Sequence, residues 1–319
     1  MTVLLNLHKD RYGGSRYEAQ LAESMSSVGE EVCVVSLIKH EDNLWLNFPR
    51  IIWLWLRFAF FYRGTLLLTL DTALFAGWAA RRNTMIIHHL NYPGLKGLKA
   101  WFIRLNRAFF FGNKFLFSRV VVVSRYWQQK LNELGVKNTL LIYNSLDPEA
   151  YNVPKSALRE FKEKHGLTEK PIVYLGSQLK NKGTDLAYGK LTGLNVHLVT
   201  SGRNELNLPV TDLKLSFEEY KLLLHVSDVV VQMSVFEEGW NRIAHESILC
   251  GTPVIGSGRG GMRELLEKSG QIVCEDVERL PNLVQKTIGK QVTPKQQAFV
   301  RTLDGGYLRK KAKEMVSGV

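Results

Sequence analysis

The chain lacks most of the features that would set it apart from an ordinary globular protein. Its 319 residues hold three cysteines, Cys33, Cys250 and Cys274, an odd number set far apart with no metal-ligand spacing. That argues against a disulfide scaffold and fits a reducing cytoplasm. Cys33 and Cys274 stand in apolar runs that read as strands, which predicts buried free thiols. The start, Met1-Thr2-Val3-Leu4-Leu5, has no basic n-region and no cleavage site, so no secretory signal is expected. There is no low-complexity run and no short-period repeat. No apolar stretch reaches the roughly 20 residues that a spanning helix needs. Arg57, Arg63 and Asp71 interrupt the most hydrophobic region.

Acids are scarce in one region. The formal net charge is +12, and residues 51–130 carry twelve Lys and Arg against a single acid, Asp71. That stretch alone holds +11, so the rest of the chain is close to neutral. It also contains 18 of the 33 aromatic residues. A basic, aromatic-rich surface without a span predicts an anionic partner, membrane surface or nucleic acid. Between Leu95 and Arg119, Lys96, Lys99, Arg104 and Arg107 alternate with Trp101 and six phenylalanines, and no acid intervenes. On a helix, Lys96, Lys99 and Arg107 share an edge with Arg104 nearby. Each cation beside an anionic leaflet contributes about 1 kcal/mol, so this segment predicts reversible attachment to a membrane. Nucleic acid is the poorer fit, because following phosphates does not require so many Trp and Phe.

What is present reads as α/β. Residues 2–7 form a buried strand, Gly13-Gly14-Ser15 a glycine turn, residues 16–28 a helix and residues 31–37 the next strand. Further strands are expected at 65–70, 84–88, 119–123 and 139–142. A second series follows Asp147-Pro148, with strands at 171–176, 196–200, 228–234 and 253–255 and helical segments between them. These alternations predict parallel sheets and place the domain boundary near residue 148. The expected parts are an N-terminal domain, 1–148, and a C-terminal domain, 149–295. A basic C-terminal helix over 296–319 would then cross back to the first domain.

The most informative segment is Phe236-Glu-Glu-Gly-Trp-Asn-Arg-Ile-Ala-His-Glu-Ser-Ile-Leu-Cys-Gly-Thr-Pro-Val-Ile255. A loop carrying Glu237 and Glu238 precedes a helix capped by Asn241, which stops at Gly251 before Pro253. The amides of Arg242 and Ile243 would then face outward at the positive end of the helix, a site suited to a diphosphate. Glu238 and Glu246 would flank it as hydrogen-bond acceptors. The competing reading is an acidic surface loop followed by an ordinary core helix.

Glu238, seven residues, then Glu246 and Cys250-Gly-Thr-Pro-Val-Ile255 resembles the signature of the GT4 family of retaining glycosyltransferases. Other landmarks of that family stand in the same order. Gly13-Gly14 resembles its first glycine turn, Val120-Val-Val-Val-Ser124 a strand ending in serine, and Ile142-Tyr-Asn144-Ser-Leu-Asp147 the close of its N-terminal domain. Gly176 to Lys182-Gly183 resembles the phosphate-contacting stretch of its C-terminal domain, and Gly260-Gly261-Met-Arg-Glu264 the loop after the signature. The resemblance implies the GT-B fold, two facing Rossmann-like domains with a deep interdomain cleft. It implies a cytoplasmic enzyme, peripheral at the inner face of a membrane, that transfers sugar from a nucleotide-sugar donor to a lipid-linked acceptor.

Roles follow by position from that resemblance. Glu238 would bind hydroxyls of the donor sugar and Glu246 the ribose. Asn241, Arg242 and Ile243 open the helix whose amides hold the diphosphate, and Lys182 would neutralise the leaving phosphate. Gly13, Gly14 and Gly176 would let the backbone approach the phosphates. No metal or other cofactor is expected, because cations and helix dipoles stabilise the leaving group. Ser177 departs from the family, which usually carries Arg there. Lys180, Arg203, Arg242 or Arg16 would have to supply the missing charge. His88 and His89 end the strand at 84–88, where the family has a histidine near the sugar, and His88 is the better placed. The alternatives are a soluble or nucleic-acid acceptor, or a non-catalytic nucleotide-binding module. No spaced glycine fingerprint supports an NAD-dependent enzyme.

Overall fold

Short runs of Leu, Val, Ile and Thr, apolar on both faces, become the strands of two parallel sheets, as expected of strands covered on both sides by helices. The computed structural model describes residues 1–7, 13–38, 44–91 and 97–317. The chain divides into one unit of Met1–Ser145 with Gly305–Val319 and a second of Leu146–Asp304.

The first unit holds β1 (Thr2–Asn6), β2 (Val32–Ser36), β3 (Thr65–Thr69), β4 (Arg82–Ile87), β5 (Arg119–Val122) and β6 (Thr139–Leu141) in the order β2-β1-β3-β4-β5-β6. Every neighbouring pair is parallel. Val3, Leu5, Leu66, Leu68, Met85, Ile87, Val120 and Val122 build a core with Leu54, Phe58, Phe110 and Trp127. The intervening Leu4, Leu67, Ile86 and Val121 are buried on the opposite face. The helices Gly13–Ser27 and Gly305–Ser317 pack on each other in the same unit.

The second unit holds β7 (Ile172–Tyr174), β8 (His197–Ser201), β9 (Thr211–Leu213), β10 (Val229–Gln232), β11 (Val254–Gly256) and β12 (Ile272–Val273) in the order β12-β11-β10-β7-β8-β9, again all parallel. Read from β9, this is the 3-2-1-4-5-6 arrangement of a dinucleotide-type sheet. In both sheets the chain reverses its direction of growth at one place, between β1 and β3 in the first and between β7 and β10 in the second. There the connections leave in opposite directions and open a crevice beyond the strand ends, where ligands of such sheets bind.

Three expectations change. Cys33 is exposed, not buried, because it lies on the edge strand β2, whose neighbour Val34 is 52% exposed as well. The tail is two helices, Pro294–Arg301 and Gly305–Ser317, and they belong to different units. The first ends at Thr302, whose hydroxyl turns back to the Phe299 carbonyl at 2.6 Å, and Gly305-Gly306 opens the next. The strands β9 and β12 had no sequence signal, being three and two residues long at the sheet edges.

Candidate functional site

At the reversal point of the second sheet, glycine geometry brings three segments together. Gly176, just after β7, has φ +78°, and a Cβ there would stand 2.9 Å from Gln232 Nε2 and 3.3 Å from Ile243 Cδ1. The turn after β7 therefore lies directly against the end of β10 and the first turn of the helix Arg242–Leu249. Asn241 caps that helix: its side-chain oxygen accepts from the Ala244 amide at 2.9 Å, while its Nδ2 donates to Gln232 Oε1 at 3.3 Å. Arg242 and Ile243 occupy the first turn, where helix geometry offers their amides no acceptor within the helix.

Gly183 makes the second close approach. It has φ +66°, and a Cβ there would meet the Met233 carbonyl oxygen at 1.9 Å. The turn Lys180–Lys182 is thus pressed onto the end of β10, from which Lys182 reaches the following loop. Its Nζ lies 2.7 Å from Glu238 Oε1 and 5.1 Å from the Phe236 ring centroid. Glu238 also accepts from the Ser234 hydroxyl. Its backbone is clasped by the next loop, with its amide donating to Arg259 O at 3.2 Å and its carbonyl accepting from the Gly261 amide at 2.8 Å. Gly260, φ +67°, permits this, since a Cβ there would stand 2.4 Å from Glu238 O.

Glu246, in the second turn of the helix, is equally enclosed. Tyr151 donates to its Oε1 at 3.0 Å, Tyr220 to its Oε2 at 2.7 Å, and Arg242 Nη2 lies 3.4 Å from Oε1. Burial, reinforced by the Glu246 charge, raises both phenols well above their ordinary pKa, so they stay protonated as donors. Tyr220 is positioned by the helix Phe217–Val226, which begins with a Ser216–Glu219 capping box. Arg242 Nη1 is buried and has no hydrogen-bond partner among the described residues. Beneath the site, Trp240 Nε1 donates to His245 Nδ1 at 3.2 Å, and burial pushes that imidazole down to about 3.

The acids Glu238 and Glu246 are both 4% exposed, so the loop that carries Glu238 is not a solvated acidic loop. Ser177 is held by Thr184, whose hydroxyl donates to its carbonyl at 2.7 Å. Of the cations suggested in place of an arginine at 177, Arg203 pairs with Glu205 at 2.6 Å on the surface. Arg242 lies at the helix start, beside Glu246.

In the first unit, the strand end of β4 carries His88, whose Nε2 lies 3.1 Å from Glu18 Oε1. Tyr17 stacks edge-on against its ring at 5.3 Å, and Tyr17 Oη donates to Ile142 O at 3.0 Å. Burial raises the Glu18 pKa, an effect that its hydrogen bond to His88 partly offsets. A Cβ on Gly14 would come within 3.3 Å of His88 Nε2. Gly13 and Gly14 thus form the first turn of the helix Gly13–Ser27 and not a separate turn before it. His89 follows, half-buried, and the cluster itself joins Gly14, Tyr17, Glu18 and His88.

The basic segment is the helix Gly97–Gly112. Trp101, Arg104 and Arg107 share its exposed side, and Ile103, Asn106 and Phe110 are buried on the other. Arg107 Nη1 donates to Leu90 O at 3.2 Å. Lys96 and the Lys99 side chain lie outside the described residues. Among those residues, no helix is long and apolar enough to cross a membrane, and no group of three His, Cys, Asp or Glu is placed to hold a metal ion.

Reasoning from sequence missed Tyr151, Tyr220, Ser234 and Glu18. Glu18 had a signal: it shares a helix face with Leu21 and Met25, where an acid needs a partner. Tyr151 and Tyr220 had none, since they stand 95 and 26 positions from Glu246.

No family model and no curated protein sequence matches the chain. Solved structures match over its whole length. HepE from Anabaena, solved in complex with UDP-glucose, superposes with a TM-score of 0.77 at 17% identity, covering 100% of this chain and 99% of that one. Sucrose-phosphate synthase from Thermosynechococcus elongatus matches with a TM-score of 0.67 at 17% identity over 98% and 94%. WaaG, a glycosyltransferase involved in lipopolysaccharide biosynthesis, matches with a TM-score of 0.69 at 13% identity over 100% of both chains. The chain has the two-domain α/β fold of these GT-B glycosyltransferases.

Proposed function

We propose that this protein is a GT4-like retaining glycosyltransferase that moves a sugar from a nucleoside-diphosphate donor to a lipid-linked acceptor presented at a membrane. One observation carries the reading. Lys182, Glu238, Glu246, Arg242 and the Asn241-capped helix start are brought together by glycines at the reversal point of the second sheet.

The chemistry follows from these groups. When the bond from sugar to diphosphate breaks, negative charge grows on the departing phosphate. The Arg242 and Ile243 amides, Lys182 and the Arg242 guanidinium would stabilise it without a metal. Glu238 accepts from hydroxyls of the donor sugar and Glu246 from the ribose. Each carboxylate oxygen has two acceptor positions, and Tyr220 takes one on Glu246 Oε2, which leaves room there for a ligand hydroxyl. His88, poised by Glu18, is the first unit's group for the transferred sugar. Departure and attack on one face of the sugar, through a short-lived ion pair, would retain the anomeric configuration. The UDP-glucose bound by HepE supports a nucleotide-sugar donor for this chain too.

The membrane part rests on the first unit. Trp101, Arg104 and Arg107 share an exposed helix face, and Phe48, Ile52, Trp53, Leu56 and Phe61 are exposed on and just after the helix Phe48–Leu56. Cations beside exposed aromatics suit an anionic leaflet.

Two measurements test this. In a thermal-shift panel of UDP-, GDP- and dTDP-sugars, NAD and duplex DNA, at least one sugar nucleotide should stabilise the protein and NAD should not. A response to NAD or DNA alone would overturn the donor reading. Sedimentation with vesicles should rise with anionic lipid, fall with salt and weaken in Arg104→Ser/Arg107→Ser. Indifference to anionic lipid would move the acceptor to a soluble molecule.

A further inference from the structure

A second charged site lies in the first unit, at the edge of the sheet where the strands begin, opposite the strand end that carries His88. A cavity of about 490 Å³ opens there, lined by Arg63, Arg81, Arg82 and Arg119 together with the hydroxyl-bearing Thr65 and Thr84. The four arginines come from the starts of three strands. Arg63 enters β3, Arg81 and Arg82 enter β4, and Arg119 begins β5. Sheet pairing brings them together: Thr65 is opposite Arg82 and Thr84 opposite Arg119, so Arg82 and Arg119 point to the same face on adjacent strands. The Arg81 amide donates to Gly64 O at 3.0 Å, and the Ser118 amide to Asn83 O at 3.0 Å, which fixes the three turns side by side.

The charge of this cluster is not balanced. Among the described residues that line the cavity, Glu30 is the one acid; Thr2 Oγ1 donates to it at 2.6 Å and the Met1 ammonium lies 3.8 Å from it. Among the described residues, Arg63, Arg81 and Arg82 form no ion pair. Arg119 Nη1 donates to the Glu314 and Met315 carbonyls, at 3.1 and 3.0 Å, on the last turn of the helix Gly305–Ser317. That anchors one end of the guanidinium in the cavity wall. Burial, then the neighbouring Arg82, lowers the Arg119 pKa, and the Glu314 charge offsets this only in part. Guanidinium forks match phosphate oxygens in pairs, and the volume lies in the range of pockets for small organic ligands and above that of a lone ion.

We propose that this cavity binds a phosphoryl group, carried by a soluble phosphorylated compound or by an anionic lipid head group. It is separate from the donor site of the second unit. The lipid source has support from the surroundings: Phe61, Trp78 and Phe115 are 76%, 57% and 74% exposed and precede Arg63, Arg81 and Arg119 by two to four residues. The Trp78 and Phe115 rings touch, with centroids 6.2 Å apart.

The test is calorimetric titration with inorganic phosphate and glycerol phosphate, in saturating nucleoside diphosphate, alongside sedimentation with phosphatidylcholine vesicles with and without phosphatidic acid. The wild-type protein should bind in at least one arm, and the arm that responds names the source. Arg63→Ser/Arg81→Ser changes two exposed side chains and should weaken that binding about tenfold or more while leaving the melting temperature in place. In the calorimetric arm, which holds no membrane, Arg104→Ser/Arg107→Ser should leave the affinity for phosphate unchanged, which separates the cavity from the helix Gly97–Gly112. No binding in either arm, or binding that survives Arg63→Ser/Arg81→Ser, would overturn the proposal. Should no nucleoside diphosphate bind, the donor reading fails, and the arginine variants still decide this one.

Discussion

Lys182 and Glu238 hold each other at 2.7 Å, with the lysine side chain partly exposed and the glutamate side chain buried. Two residues proposed to serve opposite ends of a donor, its phosphate and its sugar, are thus partners of each other. Truncating the lysine alone leaves a buried carboxylate without its cation, and so costs more than removing both charges.

The first prediction follows from that pair. Lys182→Ala should weaken nucleoside diphosphate binding by about 1.5–3 kcal/mol, the scale of a charge-assisted hydrogen bond. Glu238→Gln should lower transfer by about one to two orders of magnitude and move the melting temperature only a few degrees. Lys182→Ala/Glu238→Gln should be more stable than Lys182→Ala, as contacting residues are not additive. Additive melting shifts, or full transfer by Glu238→Gln, would show that the pair does not act as described.

The clamp on Glu246 can be opened at one atom. Tyr220→Phe removes the 2.7 Å donor to Oε2 and keeps the ring. Unfolding free energy should fall by about 1–3 kcal/mol, and donor affinity should fall with it. A stability loss with unchanged donor affinity would make the tyrosine a scaffold for the helix alone.

His245 sets a pH dependence. Its imidazole is pushed from 6.5 down to about 3 by burial, so the folded value lies below the unfolded one. Between these values the unfolded chain binds a proton that the folded chain does not. Stability should therefore fall as the pH drops below 6.5, by at most about 1.4 kcal/mol per pH unit, and His245 should contribute nothing to the slope above that. Chemical denaturation of wild type and His245→Asn should give curves that converge toward acid. Parallel curves would mean that the imidazole titrates alike in the folded and unfolded chains.

Gly183 tests the backbone. Its φ of +66° and the 1.9 Å approach to the Met233 carbonyl leave no room for a side chain. Gly183→Ala should cost about 1–3 kcal/mol for the backbone conformation alone, and it should displace Lys182 enough to weaken nucleoside diphosphate binding. Gly189 lies within the helix Thr184–Leu191 with nothing within 4 Å of where a Cβ would stand, so Gly189→Ala should leave binding unchanged and raise stability by about 0.5–1 kcal/mol. Equal behaviour of the two variants would remove the argument from close approach.

Local chemistry made much of this legible in the order of residues alone. The Asn241 cap, the stop at Gly251 and the period of the apolar runs are short-range signals, and the helix and strands they predict are present. Glu238 and Glu246 could be paired by spacing because a loop and one helix connect them. Pairing across a sheet leaves no such trace. Whether Cys33 is covered depends on β2 lying at an edge, and whether β9 and β12 exist depends on a neighbouring strand to extend.

The sequence by itself determined the α/β class, the capped helix and the segment of acids and glycines from 236 to 261, since each depends on residues a few positions apart. Only the tertiary structure decided what those residues touch. Tyr151 and Tyr220 meet at Glu246, Ser234 and Lys182 meet at Glu238, and Glu18 comes to His88 from 70 positions away. The arginines that line the cavity of the first unit are spread from position 63 to 119 and share no motif. Parallel pairing of β3, β4 and β5 brings their first residues to one edge. Register between strands is set by the packing of both sheet faces at once, and no local stretch of chain contains it.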